Sequence, residues 1–444
     1  MRRRHSGKIK KILLLLLCLL IGWGAQERKA EAATLSRKQQ EYVNALSEAM
    51  VSGVETKNMD KYREVSQGKS GDICMKQAAL LNRAAIMAEG IDFLDANWSQ
   101  YYMVENQNGH VIFHTTKIVS RKKFKERYRK INAGLKKALA GVEPSMSRAD
   151  QAMAVYIYFA ENTVYKNSKD SHTGYDVLTK HIGVCDGLAN AYALAMTTLK
   201  IPCVVVSNYK KDHSWNLVEL NKKWYFVDLT KGVGVGRHDG MVVTYTGFLT
   251  GKKTFLRTHS GYKKKDLYGQ GNSNDLNLRK INLASSDYIG EHKEMKSAIE
   301  GRTCLVYYRK YWYWISQDNR IKRSRLSGNG KKVYYIPPDR KYVGWIRRYK
   351  NKLIFSVNSR IYRMDFQKRK PVLIKKVKEM ESRRDISGPL WHIIYVGRFK
   401  ISEKGYLTYY ISDFHGVRKV KNKINLRKTG ARNDRKSGKK KKRL

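Results

Sequence analysis

The sequence predicts an α+β core followed by an all-β region, and three observations lead to this fold class. Segments 149–161 and 185–199 are typical of helices, the second one rich in alanine. Three runs rich in valine and aromatic residues then follow between residues 203 and 230, which predicts strands. After residue 300, short aromatic strands recur. With 444 residues, of which 42% are apolar, the chain has enough core material for two or three domains.

Residues 1–32 predict a secretory signal peptide. The basic stretch Met1–Lys11 precedes an apolar run, Ile12–Ile21, and Ala30-Glu31-Ala32 has the small-x-small form of a cleavage site. The apolar run has about half of the 20 residues that a membrane-spanning helix needs, so a retained N-terminal anchor is the less favoured alternative. We therefore expect a soluble protein that is secreted and associates with the cell envelope.

Residues 33–148 predict an α+β support region. Leu35–Met50 has the apolar spacing of a helix, 101–119 is typical of a hairpin that turns at Asn108-Gly109, and Lys122–Ala140 is a basic helical segment. No group of residues here indicates a chemical role.

The cysteines are too few to form a disulfide framework. Cys18 lies in the predicted signal peptide, which leaves Cys74, Cys185, Cys203 and Cys304 in the mature chain. Hydrophobic packing must therefore stabilise the fold, although a Cys185–Cys203 disulfide remains an open alternative. The sequence has no Cys-x-x-Cys pair and no His/Cys cluster at zinc-ligand spacing. We therefore expect neither a metal nor another cofactor.

Cys185 is the candidate nucleophile. The break Gly183-Val184 precedes it, and the predicted helix 185–199 begins at it. The thiolate is the nucleophilic form of cysteine, and the positive N-terminal end of a helix favours that form. A lone cysteine at a helix start is more often a small buried residue, so partners are needed.

The following hairpin supplies two partners. If Asn221-Lys222 is the turn, Leu220 pairs with Lys223, and His213 and Asp228 lie on one face of the hairpin in diagonal positions. A carboxylate in a diagonal position can contact an imidazole and orient it, which leaves the second ring nitrogen free to take the proton of a thiol.

These motifs resemble the bacterial transglutaminase-like superfamily. The sequence reads Gly-Val-Cys-Asp-Gly-Leu-Ala over 183–189, His-Ser-Trp-Asn over 213–216 and Lys-Trp-Tyr-Phe-Val-Asp-Leu-Thr over 223–230. The resemblance covers residues 149–262 and implies a papain-like core, in which the helix that carries the cysteine packs on an antiparallel sheet that carries the histidine and the aspartate. It places Cys185 as nucleophile, His213 as base and Asp228 as the acid that orients the base.

The resemblance also implies an activity. A transglutaminase-like thiol enzyme forms a thioester with an amide group of a protein or peptide and passes the acyl group to an amine or to water. A cysteine peptidase or amidase that acts on cell-envelope peptides is the near alternative. A non-catalytic envelope-binding or adhesion protein, with the core as scaffold, is the alternative of another class. Four further histidines, His172, His181, His238 and His259, are expected to be surface or loop residues.

A linker, 263–300, leads to a β repeat region, 301–427, and a basic disordered tail, 428–444. Tyr-Trp-Ile-Ser over 313–316 is followed by Ile321, and the pattern recurs at 353–356 with Ile361 and at 409–412 with Val417. Two strands joined by a turn, used three times, weakly resemble the blades of a β-propeller, and a partial or irregular β-structure is the open alternative.

The charge points to a polyanionic partner. The chain carries a net charge of +51, and residues 301–444 contain 42 Lys and Arg against nine Asp and Glu. Nucleic acid is the usual partner of such a region in the cytosol. Because the predicted signal peptide implies export, we expect instead an anionic cell-envelope polymer or a membrane surface.

Overall fold

The computed structural model describes thirteen segments of the chain. They are 36–52, 54–66, 102–115, 121–208, 210–233, 244–269, 278, 281–289, 305–338, 341–377, 395–413, 416–419 and 423–429. The predicted signal peptide, Cys74, Cys304, His238 and most of the basic tail lie outside them. In these segments, none of the helices combines the length and the apolar character needed to cross a bilayer.

Two compact units make up the chain. The described residues of the first come from 1–127, 206–212 and 268–281, and those of the second come from 128–205, 213–267 and 282–444.

The first unit contains a small mixed α/β arrangement. Its strands form a sheet in the order β1–β3–β2, and the β2–β3 turn at Asn108-Gly109 confirms the predicted hairpin. A core that includes Tyr42 and Phe113 lies between the first helix and the sheet. The elements are α1 (Arg37–Ser52), β1 (Thr56–Asn58), a 3-10 turn (Asp60–Tyr62), α2 (Arg63–Ser66), β2 (Tyr102–Gln107) and β3 (His110–Thr115).

The second unit begins with helices around a short parallel pair of strands. A capping box between Ser147 and Asp150 starts the helix α4, and Thr173 caps α5 through the Asp176 N–H. The elements are α3 (Arg121–Ala138, which leads from the first unit into the second), α4 (Arg148–Asn162), β4 (Val164–Tyr165), α5 (Gly174–Lys180), β5 (Ile182–Gly183) and α6 (Cys185–Thr198).

A three-stranded sheet follows α6 and completes the mixed helix and sheet fold that the sequence predicts. Its order is β6–β7–β8, and Leu220 pairs with Lys223, which confirms the predicted register of the hairpin. The core residues Trp215, Leu217 and Phe226 are fully buried in this sheet. The elements are β6 (Cys203–Asn208), β7 (His213–Leu220), β8 (Lys223–Val227), α7 (Leu229–Val233), α8 (Lys252–Thr258) and a 3-10 turn (Lys264–Asp266).

The described residues of the C-terminal region form three antiparallel sheets. The first two have four strands each, in the orders β12–β11–β10–β9 and β13–β14–β15–β16, and the third joins β17, β18 and β19 with a short β20 that pairs with β18. The strands are β9 (Val306–Tyr308), β10 (Tyr311–Ile315), β11 (Ile321–Ser324), β12 (Lys332–Tyr335), β13 (Val343–Tyr349), β14 (Lys352–Val357), β15 (Arg360–Asp365), β16 (Pro371–Lys376), β17 (Tyr395–Ile401), β18 (Tyr406–Asp413), β19 (Gly416–Lys419) and β20 (Ile424–Asn425).

The sequence repeats coincide with equivalent strands of the three sheets. Each copy forms the second and third strands of its sheet, namely β10–β11, β14–β15 and β18–β19. Apolar residues join the first sheet to the second, and the second to the third. The repeat is thus a structural unit that buries its faces against its neighbours.

The first two sheets also contact the helical part of the second unit. Trp312 donates its indole N–H to the Asp150 carboxylate at 2.7 Å, and Arg347 donates to Glu161 at 3.1 Å. Arg348 donates to Glu143 as well. These contacts fasten the β region to the helix α4 and to the segment before it.

Candidate active site

Cys185 occupies the first position of α6. The preceding residue, Val184, is extended, and its N–H donates to the Ser171 carbonyl at 3.0 Å. The loop that contains Ser171 passes so close to the first turn that a Cβ on Gly187 would lie 2.5 Å from the Ser171 oxygen. The first N–H groups of a helix have no acceptor inside the helix, so the Cys185 N–H is available to an oxyanion.

Neither Cys185 nor Cys203 forms a disulfide, and both residues are partly exposed. The alternative of a disulfide between them is therefore wrong. Because both cysteines are partly exposed, Cys203 also offers an internal reference for the reactivity of Cys185.

His213 begins β7 and contacts both of the other predicted site residues. Its Nε2 lies 3.0 Å from Asp228 Oδ2, and the ring also forms a hydrogen bond with Cys185. Since Nε2 faces the carboxylate, Nδ1 is the nitrogen that remains for the thiol. The side chain is 16% exposed, so one edge of the ring stays accessible.

Asp228 follows the last residue of β8 and is 1% exposed. Its backbone N–H donates to the Gly247 carbonyl at 2.8 Å, and its Oδ1 accepts the Thr230 N–H at 2.9 Å. A Cβ on Gly247 would lie 2.2 Å from the Asp228 carbonyl oxygen, so this crossing of two chain segments requires glycine. The carboxylate is thereby held in one orientation.

The charges of these groups stabilise one another. Burial disfavours the imidazolium of His213, but the hydrogen bonds and charges of Asp228 and Cys185 outweigh it and raise the pKa of His213 to about 10. Burial likewise disfavours the carboxylate of Asp228, yet His213 and His259 lower its pKa well below the usual range. His213 thus lies between the side chain of Cys185 and the carboxylate of Asp228.

His259 is the residue that the sequence reasoning missed. The expectation of a surface or loop histidine is wrong, because His259 is 6% exposed and its Nε2 lies 2.8 Å from Asp228 Oδ2. It follows directly after α8, 31 residues beyond Asp228, and no spacing rule connects the two. The aromatic residues around it, Phe255 and Tyr262, were the available sign that this histidine lies in a core.

The other histidines have simpler surroundings. His172 is a half-exposed loop residue whose Nδ1 lies 2.9 Å from Asp186 Oδ2. His181 follows α5 in a left-handed conformation, with φ of 59°. The prediction of loop positions is confirmed for these two.

The site also contains a set of atoms that could hold a metal ion. Donor atoms of His213, Asp228 and His259 lie within 4.8 Å of one another. Both imidazoles already direct Nε2 to the carboxylate, so an ion at this point would replace two hydrogen bonds. The three side chains are therefore arranged for hydrogen bonding, and a metal ion could bind them only by displacing these hydrogen bonds.

Comparisons with known proteins identify the domain around this site. Residues 136–229 match the family model of the transglutaminase-like superfamily. The chain thus contains a transglutaminase-like domain, whose helix α6 and β7–β8 hairpin carry the three predicted residues.

Three solved structures show partial overlap with the chain. A transglutaminase structure has 20% identity, covers 31% of this chain and 45% of its own, and has a TM-score of 0.23. A mitotic checkpoint complex has 10% identity, 28% and 36% coverage and a TM-score of 0.18. A candidate cysteine protease from Cytophaga hutchinsonii has 13% identity, 28% and 52% coverage and a TM-score of 0.20. The chain thus spans about half the length of these proteins or less. No curated protein matches it.

Proposed function

We propose that the chain is an exported thiol enzyme that acts on amide groups of proteins or peptides through a thioester on Cys185. The observation that carries this proposal is that His213 contacts both the thiol and the buried carboxylate of Asp228. A nucleophile, a base and a group that orients the base are the parts that thiol acyl transfer requires. Cleavage after Ala32 would release the mature chain, and its N-terminal sequence tests that step.

The first half-reaction acylates the cysteine. The Cys185 thiolate attacks the amide carbon, and the Cys185 backbone N–H donates to the developing oxyanion. The C–N bond breaks, and the leaving amine takes the proton from His213 Nδ1. The products are a thioester, a released amine and a neutral imidazole that Asp228 still orients.

The second half-reaction returns the enzyme to its initial state. An incoming amine or water gives a proton to His213 Nδ1 and attacks the thioester carbon. The C–S bond breaks, which restores the thiolate and the imidazolium. Transamidation, deamidation and peptide cleavage share this thioester, and only the incoming nucleophile and the amide that is attacked separate them.

The first test measures alkylation of the folded protein by iodoacetamide between pH 5 and 9, with mass spectrometry to locate the label. We expect Cys185 to react at least tenfold faster than Cys203, and His213→Ala to remove the difference. The comparison is controlled within one molecule, because neither cysteine is in a disulfide and both are partly exposed. Equal rates for the two thiols would contradict the proposal.

The second test identifies the acceptor. The protein is incubated with a glutamine-containing peptide library and a fluorescent primary amine, and Cys185→Ala serves as the blank. Amine incorporation indicates transamidation, ammonia release without incorporation indicates deamidation, and new peptide termini indicate cleavage. A labelled Cys185 with none of these products would favour the scaffold alternative.

We also propose that the C-terminal region binds an anionic polymer or membrane surface of the cell envelope. Besides the net charge of residues 301–444, cations lie over aromatic rings: Arg309 over Tyr308 at 5.5 Å and Arg369 over Tyr334 at 5.1 Å. Interleaved cations and aromatic rings suit a flexible polyanion. The test compares binding to phosphatidylglycerol vesicles, long-chain polyphosphate and duplex DNA over a salt series. Preference for DNA would contradict the envelope assignment.

A further inference from the structure

His259 is the second imidazole on the carboxylate that orients His213. Its Nε2 lies 2.8 Å from Asp228 Oδ2, the same oxygen that His213 Nε2 contacts at 3.0 Å. Asp228 Oδ1 is occupied by the Thr230 N–H. The carboxylate therefore has three donors, and the two on Oδ2 share one oxygen.

The surroundings of His259 hold its ring in one place. Nδ1 lies 2.9 Å from the Phe255 carbonyl oxygen, and the ring stacks on the Phe255 side chain with centroids 3.8 Å apart. The edge of the Tyr262 ring covers it at 5.5 Å. Phe255 in turn stacks on Phe226 of β8 at 4.2 Å. A continuous stack thus joins His259 to β8, the strand that directly precedes Asp228.

The hydrogen-bond partners indicate what the ring donates. Nε2 faces a carboxylate oxygen, which only accepts, whereas Nδ1 lies near the Phe255 carbonyl oxygen, which only accepts, and 3.2 Å from the Thr258 hydroxyl, which can donate or accept. A buried ring in this setting must donate at one nitrogen at least, and the carboxylate is the stronger acceptor. Nε2 is therefore the atom through which His259 acts on Asp228.

We propose that His259 is a positioning residue of the thiol enzyme, which fixes the Asp228 carboxylate and sets how strongly Asp228 holds His213. This inference rests on the proposed function. The ring centroids of His259 and His213 are 5.8 Å apart, whereas His259 Nε2 contacts Asp228 directly, so His259 acts on His213 through Asp228. Residues that orient metal ligands in a comparable way change activity by about 10- to 100-fold, and we expect an effect of this size for His259.

Three ionisable groups face His259: Asp228, His213 and the Tyr262 ring. Loss of His259 removes a donor to Asp228, so the carboxylate holds the His213 imidazolium less firmly and the Cys185 thiolate loses stabilisation. The rate of Cys185 alkylation falls as the pH is lowered, and we call this part of the pH profile the acid limb. We therefore expect the acid limb to move to higher pH when His259 is lost.

The experiment compares His259→Phe and His259→Gln with the parent chain in iodoacetamide alkylation of Cys185 between pH 5 and 9. The Phe variant keeps a stacked ring without a donor, and the Gln variant restores a donor at similar reach. We expect the Phe variant to react about tenfold more slowly or worse, with the acid limb displaced, and the Gln variant to recover most of the loss. His110→Phe is the matched control, because it removes a different His–Asp pair, with Asp60 at 2.6 Å.

The outcomes separate this proposal from the proposed function. A parent Cys185 that reacts no faster than Cys203 contradicts both. A reactive parent together with a folded Phe variant whose rate and pH profile are unchanged overturns only the role of His259. If the Phe variant does not fold, the ¹⁵N NMR signal of His259 Nε2 is compared between the parent and Asp228→Asn. We expect the signal to shift in Asp228→Asn. An unshifted signal would overturn the proposal.

Discussion

The side-chain amide of Asn216 donates a hydrogen bond of 2.9 Å to the backbone carbonyl of Ala189. Asn216 belongs to the strand that begins with His213, and Ala189 belongs to the helix that begins with Cys185. The bond is fully buried, and it joins the two elements that carry the thiol and the imidazole. Relative movement of these elements would separate the two groups, so this contact holds the reactive pair in register.

Asn216→Ala is therefore expected to lower both stability and reactivity. Loss of a buried hydrogen bond costs about 1–3 kcal/mol, and we expect slower alkylation of Cys185 because the helix is no longer fastened to the strand. Urea denaturation and the iodoacetamide rate measure the two effects. Asn282→Ala is the control, since its amide donates to the Lys222 carbonyl at 3.3 Å in an exposed position. Equal losses in both variants would contradict the prediction.

The pH dependence of stability should reflect the pKa of His213. Because its folded pKa, about 10, lies above the ordinary value of 6.5, protonated His213 stabilises the fold fully below pH 6.5. That contribution declines between pH 6.5 and 10 and is absent above. We expect the difference in free energy of unfolding between the parent and His213→Gln to be largest near pH 6 and to shrink towards pH 10. A difference that grows with pH would contradict this assignment.

The contribution of Asp228 to stability is lost at acidic pH, whereas that of His213 is lost at alkaline pH. Its folded pKa lies below the ordinary value, so its carboxylate stabilises the fold above pH 3.8, and this stability is lost as the pH falls further. Acid unfolding of the parent and of Asp228→Asn measures this. The stability advantage of the parent should shrink as the solution is acidified below pH 4, and an advantage that persists unchanged at pH 2 would contradict the prediction.

The local sequence was sufficient to place His213 beside Asp228, and the resemblance to the transglutaminase-like superfamily added Cys185 to them. The two-residue turn at Asn221-Lys222 fixes the register of the hairpin, so residues on either side of the turn could be paired by counting. His259 could not be placed in this way, because the chain returns to Asp228 through a separate helix, and only tertiary packing determines where that helix ends.

In the β region, too, the local sequence predicts the strands but not the tertiary contacts. The recurring step from 313–316 to Ile321 predicted paired strands, and the sheets confirm them. The contact between Trp312 and Asp150 joins residues 162 positions apart, and nothing in either local sequence indicates the other. Periodicity thus predicts elements, whereas the attachment of one domain to another depends on side chains that meet only in the folded chain.

The hydrogen bond between Trp312 and Asp150 leads to a further prediction. Trp312→Phe removes the indole N–H donor and leaves the buried Asp150 carboxylate with one partner fewer, which costs about 1.5–3 kcal/mol for a charged acceptor. Trp314→Phe is a matched control: Trp314 is equally buried and, among the described residues, its indole nitrogen has no hydrogen-bond partner. The difference in unfolding free energy between the two variants isolates the hydrogen bond, and equal losses would show that it contributes nothing.

Divalent metal ions should inhibit rather than support the reaction. Because the thiolate and the imidazolium need no metal, EDTA should leave the rate of Cys185 alkylation within about twofold. Added Zn²⁺ should lower the rate, since zinc bound to His213, Asp228 and His259 would displace the hydrogen bonds that stabilise the imidazolium. A rate that falls after EDTA treatment and returns with Zn²⁺ would contradict the expected absence of a metal cofactor.

Binding of the C-terminal region to a polyanion should depend on salt through individual arginines. Arg309 and Arg369 are exposed and each lies over a tyrosine ring, so both charges are accessible to a polyanion. Arg309→Gln with Arg369→Gln should weaken binding to polyphosphate and reduce the slope of log affinity against log salt by about one for each arginine. Arg37→Gln, which removes an exposed arginine of α1 paired with Glu41, is the control. An unchanged slope in the double variant would place the binding surface elsewhere in the chain.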